Sequence, residues 1–373
     1  MMKKSKLYLL IVLFPLLLFA CEGSKAVVEV PGPPAPENPE NGNENGNDDD
    51  DTTPKPWDEN RGKTVRPSAG NGWTVTPIED GIIYYSFDGK EAVTKANQRI
   101  FITEIDLNNT SYSVKLGYYS SSITASKVFK GTNAIACINA GYEKAALYLK
   151  VNGTTQSNIS ADTIGDTGVP QWKSEAAVYL NQDRDVRIEF TGKGMSLAEW
   201  RAVYRQRAAS ENTFITSAPM LIDDFEPVGE DFCTLHPKSA YLDKNGKDSN
   251  SENPYNHQGS NTNPRTALAK TENNHLLFIV VDGRRSGVST GISAANLTKF
   301  LVNNFNPQYA INLDGGGSST MCVQGQGDPT THVVNYPTDN ISSTGKDGSP
   351  KESNGPDHAG ERPRDTFFYV VKK

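Results

Sequence analysis

Short apolar runs bounded by turn residues recur along the chain from about residue 71 onward, and they predict strands. Residues 82–87, 100–107 and 112–116 read as successive strands, with Asp88-Gly89 and Asn108-Asn109 as turn signals between them. Residues 134–139 are almost wholly apolar, the pattern of a central strand. Residues 147–151 and 176–180 follow. In 186–190, Val186, Ile188 and Phe190 alternate with polar positions, as on a half-buried strand. Residues 276–281, 309–313 and 366–371 complete the series.

A helical period is rarer. Ser196 with Glu199 three residues on forms a capping box that predicts a helix over 196–207. Ser293 caps a second helix, 293–304, with Ala294, Leu297, Phe300 and Leu301 on one face. That helix joins strand 276–281 to strand 309–313, so the segment predicts a parallel pair with a right-handed crossover. Asp282 and Asp314 then arrive at the same sheet edge, where open α/β sheets bind ligands. The fold class is α+β: a mixed, strand-rich sheet with a few helices, including one β-α-β unit near the C-terminus. Two polar insertions without periodicity, 242–262 and 341–360, read as surface loops.

The N-terminal region changes the picture. Lys3, Lys4 and Lys6 precede an apolar stretch, 7–20, and Leu18-Phe19-Ala20-Cys21 resembles a lipobox. Residues 1–21 are therefore expected to be a lipoprotein-type signal peptide with Cys21 as the lipidated residue, and a cleaved secretory peptide is the rival. Residues 22–70 form an expected disordered acidic tether, rich in Pro, Asn and Gly. Residues 71–373 form the folded domain. The expected location is the bacterial cell envelope, lipid-anchored at the outer membrane on its periplasmic or surface-exposed face.

Most of the net charge of −7 belongs to the tether, whose eleven acids to residue 60 face two lysines; residues 61–373 come to about −1. No global field draws such a body to nucleic acid or anionic lipid, so anion recognition falls to local arginines. Of the remaining cysteines, Cys137, Cys233 and Cys322 allow at most one disulfide, and Cys137 and Cys322 read as core thiols. No CxxC or HxxxH spacing suggests zinc, and no cofactor is expected.

Chemistry concentrates in residues 308–320, Gln-Tyr-Ala-Ile-Asn-Leu-Asp-Gly-Gly-Gly-Ser-Ser-Thr. A buried strand delivers Asp314 onto Gly315, Gly316 and Gly317, where the backbone can take positive φ and admit a ligand closely. Ser318, Ser319 and Thr320 add hydroxyls. Four further groups lie at strand ends: Asn139-Ala140-Gly141-Tyr142-Glu143, Asn263-Pro264-Arg265-Thr266, Asp282-Gly283-Arg284-Arg285 and Glu361-Arg362-Pro363-Arg364. Singly each is an ordinary turn or surface pair. Together they offer planar guanidinium forks for phosphate and carboxylates for glycosyl or phosphoryl transfer.

The order of Asn-Ala-Gly-Tyr, Pro-Arg-Thr-Ala, Asp-Gly-Arg, Ala-Ile-Asn-Leu-Asp-Gly-Gly-Gly-Ser, Tyr-Pro-Thr-Asp and Arg-Pro-Arg resembles the phosphodiester glycosidase family, over roughly residues 95–373. Ser217-Ala218-Pro219-Met220-Leu221 resembles a further family segment. The resemblance implies hydrolysis of a glycosyl phosphodiester, N-acetylglucosaminyl in the family's type case, at the sugar C1–O bond. A phosphate-linked glycan is then the substrate. The expected catalytic residues are Asp314, Asp282 and Arg265. The expected substrate-binding residues are Asn139, Gly141, Thr266, Arg284, Gly315, Gly316, Gly317, Ser318, Thr320, Arg362 and Arg364. The chain departs from the family at Glu143, where an aromatic is common, and at Asn263. Two rival functions stay open: a metal-assisted phosphodiesterase, with Asp282, Asp314 and Glu143 on Ca²⁺ or Mg²⁺, and a non-catalytic glycan-binding surface lipoprotein.

Overall fold

The computed structural model describes residues 58–159, 162–164, 168–181, 184–190, 196–231, 236–248, 252–339 and 358–373. The signal peptide, Cys21, most of the tether, Cys233 and most of the second insertion lie outside these residues. The described residues all belong to one compact unit. Among the described residues no helix is long and apolar enough to cross a membrane.

In chain order the elements begin with β1 (Trp73–Glu79), β2 (Ile82–Lys90), β3 (Asn97–Asp106) and β4 (Tyr112–Ile123). Next come α1 (Ala125–Thr132), β5 (Ala136–Asn139), β6 (Leu149–Val151), β7 (Thr154–Ser157), β8 (Ala176–Leu180), β9 (Val186–Phe190) and α2 (Leu197–Ser210). Then follow β10 (Phe214–Ser217), β11 (Met220–Ile222), α3 (Pro254–Gly259), β12 (Arg265–Lys270) and β13 (His275–Val281). The last are α4 (Ala294–Asn304), β14 (Tyr309–Asn312), β15 (Met321–Val323) and β16 (Arg364–Lys372).

These strands build three antiparallel sheets. The largest has seven strands in the order β1-β2-β3-β13-β12-β14-β11; a second runs β7-β6-β10-β8-β9 and a third β15-β5-β16-β4. All three turn one face to a shared core, in which Phe278 and Val280 of the first meet Val178 and Ile215 of the second and Ile138 and Phe368 of the third. Each opposite face is covered by one helix. α4 covers the large sheet through Leu297, Phe300 and Leu301, α1 covers the third through Val128 and Phe129, and α2 covers the second through Trp200 and Tyr204. The unbroken apolar run of β13 follows, because Leu276, Phe278 and Val280 face the shared core while Leu277, Ile279 and Val281 face α4.

The architecture is the expected strand-rich α+β type, with differences in detail. β13 and β14 both run antiparallel to β12 and so parallel to each other, but β12 lies between them and they do not pair. The crossover spans one strand more than expected, and Asp282 and Asp314 still reach the same edge. Asp88-Gly89 is not a turn; both residues sit inside β2, paired with Arg99 and Gln98. The first insertion is not all loop, since Asn253 caps α3 within it. Ser196 and Ser293 cap α2 and α4 as expected, the first with the full reciprocal capping box. Cys137 and Cys322 are buried free thiols opposite each other on β5 and β15.

Phe300, 1% exposed, stacks on Trp73 with ring centroids 6.0 Å apart and joins α4 to the outer edge of the large sheet. Phe300→Ala is expected to lower unfolding free energy by about 3–5 kcal/mol through lost burial and a residual cavity. Lys299→Ala on the solvent side should stay within about 0.5 kcal/mol. Urea denaturation of the two variants checks this.

Candidate active site

The three sheets meet at one end, and Asp314 sits at the junction. Leu313 N–H donates to the Thr266 carbonyl at 2.8 Å, keeping the chain on β12, and Asp314 N–H donates to the Ala140 carbonyl at 2.9 Å beyond β5. The glycine turn follows. Gly315 passes so close to the Pro264 carbonyl that a Cβ there would stand 2.7 Å from it. Gly316 has φ +65° and lies under the Arg284 guanidinium; Gly317 lies under the ion pair of Arg362 and Asp339. A side chain on Gly317 would overlap the Asp339 carboxylate, so the turn needs glycine where this cover approaches.

Asp314 Oδ2 stands 2.9 Å from Arg364 Nη2, but the two are not aligned as a hydrogen bond. Burial pushes the Asp314 carboxyl above the usual range, and Arg364, the nearby Ser318 hydroxyl and Lys173 pull it back. The Ser318 hydroxyl comes close enough to favour the charged form without meeting hydrogen-bond geometry. Ser318 Oγ, Thr320 Oγ1, Arg364 Nε and Asp314 Oδ2 are all buried with no aligned hydrogen-bond partner among the described residues. Native interiors leave few such atoms. Three such atoms from segments that meet at this junction, beside the carboxylate's own orphan oxygen, mark a place built for a polar ligand.

Behind this front, several of the expected site residues are spent on the protein. Asn139, 1% exposed, donates through Nδ2 to the Asp314 carbonyl at 2.7 Å. Its Oδ1 accepts from Thr266 Oγ1 at 2.9 Å and from Thr320 N–H at 3.1 Å. Gly141 accepts from Arg364 Nη2 at 3.1 Å and donates to Thr366 Oγ1 at 2.8 Å; a Cβ on it would strike Ile215 and Leu147. Asn139, Thr266 and Gly141 thus hold the wall of the site and do not face its opening.

Arg265, expected on the phosphate, is sealed at 1% exposure. Its Nε donates to Ile292 O, Nη2 to the carbonyls of His257 and Asn261, and Nη1 meets His257 Nδ1 at 2.7 Å. Burial pushes its pKa down to about 10. Asp282 is sealed too. Its oxygens accept from Asn335 Nδ2 and from Tyr336 N–H, all at 3.1 Å, and burial raises its carboxyl to about 7. Both reach the expected edge, but they pin the segments around the site.

Glu143 has a partner that its sequence position did not disclose. Lys173 Nζ lies 2.9 Å from Glu143 Oε1 and 3.0 Å from Glu252 Oε2, over the Tyr142 ring at 5.0 Å. Lys173 and Glu143 both act on Asp314, with opposite signs. The three carboxylates considered for Ca²⁺ or Mg²⁺ are therefore divided: Asp282 to the 335–336 turn, Asp314 to Arg364, Glu143 to Lys173. Among the described residues no three His, Cys, Asp or Glu side chains gather as a metal cage. Pattern reasoning also passed over Asn312, whose Nδ2 donates to Tyr142 Oη at 2.9 Å and Ala218 O at 3.1 Å. Asp339 was visible in Tyr-Pro-Thr-Asp without a role.

A strand-built junction with a buried carboxylate, a glycine turn and local arginines is an arrangement suited to an anionic ligand. The chain belongs to the phosphodiester glycosidase family, whose sequence model matches residues 132–347, more than half its length. No curated protein sequence matches it. Among solved structures it is similar to the catalytic domain of zebrafish N-acetylglucosamine-1-phosphodiester alpha-N-acetylglucosaminidase, with TM-score 0.51, 16% identity, and 83% and 87% of the two chains covered. It is similar as well to a Burkholderia pseudomallei protein described as exported, with TM-score 0.50, 12% identity, and 83% and 98% covered. At these identities the likeness is one of fold.

Glu175 lies behind the site, fully buried, accepting Met220 N–H at 2.7 Å, and burial raises its carboxyl to about 8. With Asp282 near 7, both groups favour their neutral forms in the folded state. The stability they contribute is complete below the ordinary carboxylate range and is lost as pH rises through 7 and 8. Thermal midpoints are expected to fall between pH 5.5 and 8.5, with a slope of up to about 1.4 kcal/mol per pH unit for each proton. Asp282→Asn and Glu175→Gln should each flatten that slope; a midpoint that climbs over this range would contradict it.

Proposed function

We propose that the protein hydrolyses a glycosyl phosphodiester at the sugar C1–O bond, releasing sugar and a phosphomonoester. The observation that carries this reading is Asp314 beside Arg364, among unpartnered hydroxyls, on a glycine turn covered by Arg284 and Arg362. Family membership supports the reaction class, and the name of the zebrafish neighbour describes cleavage of such a diester.

In this proposal Asp314 acts on C1 while the phosphate leaves as an anion. A phosphate needs charge neutralisation more than a proton, and Arg284 with Arg362 supplies it from the far side of the turn. Arg364 holds the Asp314 charge, and Ser318 and Thr320 meet sugar hydroxyls or phosphate oxygens. Asn139, Thr266, Arg265 and Asp282 keep those groups in place from behind. The Lys173–Glu143–Glu252 group bounds the sugar side. An N-acetylglucosaminyl group on a phosphate-linked glycan is the first substrate to test. An exported, lipid-anchored location through Cys21 completes the proposal, supported by the signal-like N-terminus and by the Burkholderia neighbour's description.

The bond is tested with α-N-acetylglucosaminyl-phospho-mannose in ¹⁸O-water. Label in the free sugar is the expected result; label in phosphate would mean P–O cleavage and sink the proposal. The anomer first formed separates direct attack by Asp314, which retains configuration, from attack by a water it deprotonates, which inverts it. Asp314→Asn should lower kcat/KM by about 10²–10⁴ without unfolding the protein, since the Asp314 backbone, not its carboxyl, makes the bonds to Ala140 and Asn139.

The pH dependence follows from the raised Asp314 carboxyl. Its charged form is the active one, so the acid limb of kcat/KM lies above the ordinary aspartate range. Arg364→Gln removes the main stabiliser of that charge, so the limb moves to higher pH as the rate falls by about 10²–10³. A limb that stays put would separate Arg364 from the charge of Asp314.

A further inference from the structure

Arg285 follows Arg284 but faces away from the glycine turn. Its guanidinium stands 5.8 Å from the centre of the Tyr336 ring, and that of Arg99, from β3, stands 4.8 Å from the same ring. His358 stacks on the ring at 4.7 Å with an interplanar angle of 25°. Three cationic or protonatable groups from separate segments thus share one half-buried aromatic. The backbone that carries the ring is fixed in place, because Tyr336 N–H is held by both Asp282 oxygens.

The charges around this ring do not balance. Arg99 Nε pairs with Asp88 Oδ2 at 3.0 Å, but the Asp88 side chain is 67% exposed, where such a pair contributes little. Arg99 Nη1 is buried with no hydrogen-bond partner among the described residues. Among those residues no acidic side chain pairs with Arg285. Asp282 lies beneath both arginines, and burial holds it toward its neutral form. A cation over an aromatic face gains only about 0.5–1 kcal/mol at exposed sites, so the Tyr336 ring does little to compensate two guanidinium groups. An anion between them would supply what is missing.

We infer that Arg285, Arg99 and His358 around Tyr336 form a second anion subsite, which takes the next phosphate of an oligomeric glycosyl-phosphate chain. Arg284 and Arg285 are consecutive, with Cα atoms about 3.8 Å apart. A chain whose scissile phosphate lies by Arg284 on the glycine turn has its next phosphate directed toward Tyr336, where Arg285 stands. The substrate class is then a repeating phosphodiester glycan in place of an isolated diester. This rests on the proposed hydrolysis, and the experiment separates the two.

The test compares an oligomer carrying two phosphodiesters with the matching one-phosphate diester. With the wild-type protein, KM for the two-phosphate oligomer should be about tenfold lower. Arg285→Gln should erase that advantage and leave kcat and the one-phosphate KM unchanged, while Arg285→Lys, which keeps the charge, should retain most of it. Equal KM values with wild type, or a loss that falls equally on both substrates, would overturn the inference. If inorganic phosphate binds as tightly as the oligomer, the site takes a free anion and the polymer reading fails. If wild type cleaves neither substrate, the proposed reaction has failed, and calorimetry with the two-phosphate oligomer decides the subsite alone. About tenfold weaker binding by Arg285→Gln then supports it, and unchanged binding overturns it.

Discussion

The Asn139 amide holds together the parts of the structure on which the site depends. One primary amide at the end of β5 ties the Asp314 carbonyl, the Thr266 hydroxyl and the Thr320 N–H into one junction. The first follows β14, the second lies on β12 and the third leads into β15, so two sheets are joined through a single side chain. A buried hydrogen bond contributes only about 1 kcal/mol net, but removing this amide would leave several buried groups unsatisfied, at about 1–3 kcal/mol each. Asn312 repeats the device one strand position earlier, linking β14 to Tyr142 and to the segment between β10 and β11. The Asp314 backbone is therefore fixed from two sides without using its carboxyl.

Charge is divided by depth in the same way. Arg265 and Asp282 are nearly inaccessible, and their polar atoms go to carbonyls, a histidine, an amide and a backbone N–H. A buried guanidinium with four such contacts is an expensive group, retained where it fixes backbone that cannot otherwise be held. Here it pins the α3 segment and Ile292 beside the site. Arg284, Arg362 and Arg364 lie farther out and keep more solvent contact. Stabilisation of developing charge needs donors already in place, and the inner charges provide the rigidity that keeps the outer ones there.

Much of this was legible in the sequence because it is local. β8 and β9 match their patterns residue for residue, and the serine caps of α2 and α4 are short-range chemistry. The glycine turn and its acid announced themselves for the same reason. What escaped was pairing. No pattern says that β12 inserts between β13 and β14, since long-range strand order is a property of the whole core. α1 was missed because its eight residues make little more than two turns and Thr124 gives no side-chain cap, although Ala125, Val128 and Phe129 stand at helical spacing. The sealing of Arg265 and Asp282 was not legible because the motif gives residue type and edge, whereas burial decides whether a charge faces solvent or the protein. Lys173 was invisible, thirty residues from Glu143 with no motif around it.

A sugar phosphate has two unlike ends, and the junction has two unlike sides. Toward Tyr142 and Trp172 the charges are a lysine between two glutamates, a small negative excess set against aromatic rings. Toward the glycine turn they are Arg284 and Arg362 with one opposing carboxylate, Asp339, so positive charge is in excess. Asp314 lies where the two meet and feels Arg364, Lys173 and Glu143 together. In the proposed reaction a neutral sugar takes the first side and a phosphate the second, which leaves the bond between them nearest the carboxylate. Because the folded body is nearly neutral, long-range steering contributes little and orientation rests on this local asymmetry. The glycines matter for the same reason: without side chains, the turn lets the excess positive charge come within contact distance of the backbone that carries Asp314.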